Sequence, residues 1–237
     1  MSAVSTTAVL PTVHKPEPFP GRRLLRWAVA APSAAALLMG IAGDFSSPYL
    51  WAIVIGAAAV ALYAIFTVSP DLARERYHPP TSGADGGALF WMRPVALVAL
   101  LFAILDGARW HVSPVMPAAW RIVGVTAFVL GFAGFVYAMS VNRFFSSVVR
   151  IQDDRGHHVI DVGPYARVRH PGYVGMLMFA MAMPLAFGSW WAFVPGAPMV
   201  AFALQRVWIE DAFLLAHLPG YREYAGRVRY RLVPGVW

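Results

Sequence analysis

The chain is 237 residues long, 59% hydrophobic and only 13% charged. A soluble domain usually carries about 25% charged residues, so the composition excludes an ordinary soluble enzyme and predicts an all-α integral membrane protein. The absence of cysteine excludes disulfides, a thiol nucleophile and Cys-based zinc sites. The net charge of +7 does not argue for nucleic acid, because the basic residues sit in loops beside apolar runs, where they set topology or touch anionic lipid.

Residues 1–20 are polar, contain four prolines and show no periodicity, which predicts a disordered tail. An apolar run from about Leu24 to Ala42 follows. Its polar lead-in is long for a signal peptide and a second run comes at once, so a retained first helix is expected. The second span is Pro48 to Val68, closed by Ser69-Pro70, because proline lacks the amide and disfavours helix before it. Residues 69–93 are expected to form a polar loop carrying Arg74, Glu75, Arg76 and His78. The third span starts at about Pro94 and must run on past Leu105 to Trp110 to approach the about 20 residues a bilayer core needs, burying or snorkelling Asp106 and Arg109. The fourth is Ala118 to Val141. A polar segment, 142–172, precedes a fifth span from about Tyr173 to Phe187. Gly188-Ser189 then turns the chain into a sixth helix from about Trp190 to Leu218, so the last two spans form a hairpin. The final nineteen residues interleave tyrosine with arginine, as expected of packing on a membrane surface.

Topology follows from the basic residues. About six spans are expected, five if the third does not cross fully. With the N-terminus inside and six spans, sixteen of the nineteen Lys and Arg fall on the inner side, as the positive-inside rule requires. Both termini are then cytoplasmic, and this parity fails if the third is not a crossing.

The stretch Gly163 to Gly175 packs two prolines, three glycines, two arginines and a histidine between apolar runs. Irregular polar backbone at a membrane edge is costly unless it lines a cavity or ligand. Arg169-His170-Pro171 sits where the chain enters a helix, with proline suited to its first turn. By spacing alone this is either an anion site at a helix start or a basic anchor with a capping histidine. Arg206 and Glu210 stand four apart on one helix face, with Asp211 adjacent. They form either a structural ion pair at the membrane exit or a functional group facing a water-filled cavity. His157 and His158 are neighbours with no further ligand at zinc-like spacing, so no metal is expected.

At these residues the chain resembles the isoprenylcysteine carboxyl methyltransferase family and its prokaryotic relatives, themselves similar to phospholipid N-methyltransferases. The likeness covers about residues 140–237 and is carried by Gly163-Pro164-Tyr165, Arg169-His170-Pro171-Gly172-Tyr173, Glu210-Asp211 and Arg229-Tyr230-Arg231-Leu232-Val233-Pro234. With the tail (1–20) and the four membrane helices (21–141) read from the chain itself, it implies that 142–237 is a cofactor-binding region with the final hairpin and basic tail. It implies S-adenosyl-L-methionine as methyl donor at the inner face. His157, His158, Val159 and Ile160, and more loosely Gln152, fall on cofactor contacts. So do Tyr165, Arg169, His170, Pro171, Gly172, Tyr173 and Glu210, while Arg206 falls on an arginine that positions the acceptor. Asp211 stands where the family often has a second glutamate. The implied acceptor is small or lipid-linked, most simply a carboxylate, in a prokaryotic inner membrane, with membrane lipid as neighbour. Membrane sterol reductases using NADPH carry a similar Arg-His-Pro element and are the enzyme alternative. A scaffold or transporter is the non-enzyme one, and would spread charges along several spans.

Overall fold

The computed structural model describes residues 20–80, 83–86 and 88–237, so the expected tail over 1–20 lies almost wholly outside the described residues. Regular structure there is entirely helical. Helix α1 (Gly21–Ala42) and α2 (Pro48–Thr67) are 22 and 20 residues long. With α5 (Ala118–Val141) they are the three described helices long and apolar enough to cross a membrane. Between them, α4 (Ala88–Leu105) continues through a widened turn, Asp106–Trp110. The hairpin is α6 (Pro171–Phe187) and α7 (Phe193–His217). The chain is an integral all-α membrane protein.

Three boundaries differ from expectation. Ser69-Pro70 closes α2 but also opens a further helix, α3 (Pro70–Tyr77). The Ser69 hydroxyl accepts the Leu72 amide and Pro70 takes the first position, where its missing N–H costs nothing. The polar loop over 69–93 is therefore half helical, because α4 begins at Ala88 and holds Pro94 within it. The terminal segment also contains a helix, α8 (Tyr221–Arg227), whose Tyr221 and Tyr224 are buried rather than spread on a membrane surface.

The centre of the bundle is the α5–α6 seam. A Cβ on Gly131 would stand 2.6 Å from the Phe179 backbone nitrogen, and one on Gly175 2.4 Å from that of Phe135. Apolar side chains gain little by leaving lipid for one another, so close backbone approach at small residues holds such helices together. Gly131→Ala is expected to cost about 1–3 kcal/mol and lower the thermal midpoint in detergent. Gly134→Ala, whose added Cβ meets nothing nearer than 3.9 Å, should not.

One end of the bundle is locked by Asp106, fully buried, which accepts the Ser113 amide at 2.9 Å and the hydroxyls of Ser113 and Ser189. This joins the end of α4 to the α6–α7 turn. The opposite end carries 142–170 and the site.

Candidate functional site

A cleft of about 1140 Å³, counted to its open mouth, lies between the ends of α5, α6 and α7, with α3 and residues 142–160 as walls. Twelve of the thirteen residues singled out from the sequence line it. Pro171 is the exception: it is buried at the first position of α6 and fixes the helix start.

The loop is shaped by local polar contacts. Asn142 ends α5 and its side-chain oxygen accepts the Phe144 amide at 2.8 Å. Arg150 grips Glu75 of α3 with two bonds, 3.0 and 2.9 Å, and reaches Asp154 at 2.8 Å. The loop is thereby tied to a helix 75 residues earlier. Gln152 is 1% exposed; its amide donates to the Phe144 carbonyl at 2.7 Å and its oxygen accepts from Arg155. Its polar atoms are thus spent inside the loop, and it braces Phe144. Around that ring stand both histidines, His157 at 4.6 Å between centroids and His158 edge-on at 4.9 Å. Val159 and Ile160 continue the wall.

Burial pushes the His157 imidazole down to about 4, with the neighbouring His158 and Arg150 acting in the same direction. Its folded value lies below the ordinary one, so the unfolded chain takes up the proton first and stability falls as pH drops from 6.5 towards about 4. A His157→Phe variant, which keeps a ring against Phe144, should show a shallower loss over that window in thermal melts.

The Arg-His-Pro turn is organised by a residue whose role the sequence left open. Asp211 is fully buried and accepts from Arg169 at 2.8 and 2.9 Å, Arg231 at 2.7 Å, Tyr221 at 3.0 Å and, in contact, His170 Nε2 at 3.1 Å. Arg169 also donates to the carbonyls of Val228 and Arg229, at 3.0 and 2.9 Å. Four of its five donors are engaged, so it holds the turn and has little left for a ligand. The backbone amides of Arg169 and His170 donate to the carbonyls of Tyr230 and Arg231, both at 2.9 Å. Arg231 lies over the Trp208 ring at 4.5 Å. The Arg-Tyr-Arg-Leu stretch is therefore a strap across the turn. Tyr224 ties the other side by donating to the Tyr165 carbonyl at 2.8 Å.

Glu210 faces the cleft, its side chain 29% exposed. Tyr173 donates to one oxygen at 2.8 Å, and His170 Nδ1 stands 3.8 Å from the other. The carboxylate keeps acceptor capacity to spare. Gly172 is where the Phe145 ring crosses α6; a Cβ there would stand 2.3 Å from it. Arg206 is 6% exposed. It donates to the Ser147 carbonyl at 2.6 Å and lies 3.3 Å from Asp85, while its Nε is buried without a partner. Arg206 and Glu210 share a helix face, as their spacing implies, but do not pair with each other. Among the described residues no His, Asp and Glu cluster is arranged to hold a metal.

Residues that sequence reasoning did not place are Asp85, Arg76 and Phe144. Arg76 reaches the cleft from α3, where it donates to the Phe145 carbonyl at 3.1 Å. Its only sequence signal was a position in a basic loop.

Residues 119–218 match the family model described as phospholipid methyltransferase. The protein-S-isoprenylcysteine O-methyltransferase of Schizosaccharomyces pombe is 24% identical over 164 residues, covering 61% of this chain and 66% of that relative. The chain therefore spans just under two thirds of this curated relative's length. Both matches are to methyltransferases, and the resemblance read from the sequence stands. The matched region runs from the start of α5 to the end of α7 and includes every residue singled out for the site.

Proposed function

We propose that this protein transfers the methyl group of S-adenosylmethionine to a small or lipid-linked acceptor, most simply a carboxylate, at the cytoplasmic face of the membrane. The observation that carries this reading is the convergence on one cleft of Glu210, with spare acceptor capacity, and Arg206, with an unpartnered donor. The cofactor carries an ammonium, a carboxylate, a ribose, a sulfonium and an adenine. The cleft's residues suit most of these groups: Glu210 for ammonium or hydroxyl, Tyr165 and Tyr173 faces for the cation, and His157, His158, Val159 and Ile160 for the adenine.

When bound, the cofactor supplies an electrophilic methyl: its carbon–sulfur bond breaks, the electron pair stays on sulfur, and the methyl bonds to the acceptor atom. The protein's share is alignment, which in a well-oriented site contributes about 7–11 kcal/mol. Arg206 orients an acceptor carboxylate, already ionised at neutral pH, so no general base is required. An amine acceptor would need a proton removed, and Glu210 is the base within the cleft. The Asp211 hub keeps Arg169, His170 and the strap in place and touches no ligand. The excess of Lys and Arg in the loops on the cleft side supports a cytoplasmic cleft with both termini inside.

A reductase would need cations for the phosphates of NADPH. Arg150 and Arg169, two of the arginines lining the cleft, are already engaged with Glu75, Asp154 and Asp211, and both matches are to methyltransferases, which favours the methyl donor. The test is transfer of radiolabel from methyl-labelled cofactor into the lipid fraction of membranes containing the protein. Label in an alkali-labile ester supports a carboxylate acceptor. Alkali-stable label supports an amine, and no label above membranes lacking the protein overturns the reading.

A further inference from the structure

Arg76 is a partly buried cation of the cleft without a carboxylate partner among the described residues. Two other features carry no chemistry of their own. The apolar groove between α1 and α2 has nothing to say what covers it, and the buried Asp106 cluster is satisfied by its own serines.

Arg76 reaches the cleft from a helix outside the region shared with the phospholipid methyltransferases. It is anchored to the carbonyls of Phe145 and Ser146, at 3.1 and 3.5 Å, and Arg206 to that of the next residue, Ser147, at 2.6 Å. Three consecutive carbonyls thus anchor the two guanidinium groups, and Arg76 lies within the field of the Arg206 charge. The Arg76 guanidinium also lies over the rings of Phe135 and Phe145, at 5.5 and 5.1 Å. Among the described residues no carboxylate stands within ion-pair distance of it, whereas on the same cleft Arg150 pairs with both Glu75 and Asp154 and Arg169 makes two bonds to Asp211. Burial, and then the Arg206 charge, disfavour its protonated form. A buried guanidinium with no counterion beside a second cation is costly unless an anion joins it.

The site already shows what it accepts, since Asp85 sets a carboxylate oxygen 3.3 Å from Arg206. The same cleft is also lined by apolar side chains, among them Met92, Phe135, Met176 and Phe202, and Phe135 is in contact with Arg76. We infer that Arg76 joins Arg206 in an anion seat for the acceptor's charged group, so that a residue outside the region matched by the family model reads the acceptor's charge. Arg76 is then a specificity-determining residue of the methyl-transfer reaction proposed above, on which this inference rests. Planar, bidentate recognition of carboxylate or phosphate is what an arginine offers over a lysine.

The test is calorimetry of the full chain in a neutral maltoside detergent, with oleate, dodecyl phosphate and oleyl alcohol as probes, and S-adenosylhomocysteine titrated separately. Wild type should bind oleate or dodecyl phosphate at least about tenfold more tightly than the alcohol, whichever binds better naming the headgroup. Arg76→Gln should reduce the preference for anion over alcohol to about threefold or less, and Arg76→Lys should retain part of it. S-adenosylhomocysteine affinity should be unchanged in both variants. Equal loss of anion and alcohol binding in Arg76→Gln would make Arg76 a brace for Phe145 and overturn the seat. Equal binding of oleate and oleyl alcohol by wild type would also overturn it. If S-adenosylhomocysteine fails to bind wild type, the methyl-transfer reading falls, while the anion comparison still judges the seat.

Discussion

Replacing Arg206 by alanine is expected to lower kcat about 100-fold or more while leaving the affinity for S-adenosylhomocysteine within about threefold. The split follows from what Arg206 touches. Its Nη2 is committed to the Ser147 carbonyl at 2.6 Å and faces Asp85, while its Nε is buried and unpartnered. A preorganised donor left without a protein partner is available to a reacting group, and removing one such donor costs about 100- to 1,000-fold in turnover. Of the groups assigned to the cofactor, Tyr173 donates to Glu210 and His170 stands 3.8 Å from it, and neither bonds Arg206. Their geometry should survive the change. Initial rates with labelled cofactor, set beside calorimetry of the same preparation, decide the matter. A parallel fall in binding and turnover would make Arg206 a structural member of the cofactor site.

The second large effect belongs to Asp211. Asp211→Ala should destabilise the cap by about 3–5 kcal/mol, because removing one partner leaves buried cations uncompensated. The thermal midpoint should fall by roughly 10 °C. The loss should be local as well as global. Arg169, Arg231 and Tyr221 all give hydrogen bonds to this one carboxylate, so the strap over 229–231 should detach from the Arg-His-Pro turn. Hydrogen exchange at the Arg169 and His170 amides, which donate to Tyr230 and Arg231 at 2.9 Å, reads this directly. Slow exchange retained at both amides in the variant would show that the strap holds without Asp211. Cofactor affinity should be lost with the strap, in contrast to the Arg206 variant.

The two effects also mark what could be read from the chain before its fold was known. The stretch from Gly163 to Gly175 stood out because irregular polar backbone is expensive at a membrane edge, and it does line the cleft. The span Ala118–Val141 was legible to the residue because apolar length and flanking Pro117 and Asn142 agree. The i, i+4 spacing of Arg206 and Glu210 correctly placed both on one face, but could not say that they serve different neighbours. Asp211 as a hub was illegible, since Arg169 and His170 lie 42 and 41 residues away and Arg231 lies 20 away. Arg76 was illegible for the same reason, its anchoring carbonyls being 69 and 70 residues on. Ser69-Pro70 misled because one dipeptide ends a helix and starts another. The tyrosines of the final segment looked like surface anchors because their alternation with arginine matches a membrane surface. Their hydroxyls instead find buried acceptors at Asp211 and the Tyr165 carbonyl.

The most direct measurement is calorimetric titration of the detergent-purified protein with S-adenosylhomocysteine, with NADPH titrated in parallel. Saturable binding of S-adenosylhomocysteine, lost in Glu210→Ala and kept in Arg206→Ala, is the result expected of a methyltransferase cleft. Binding of NADPH in its place, or of neither molecule, would contradict it.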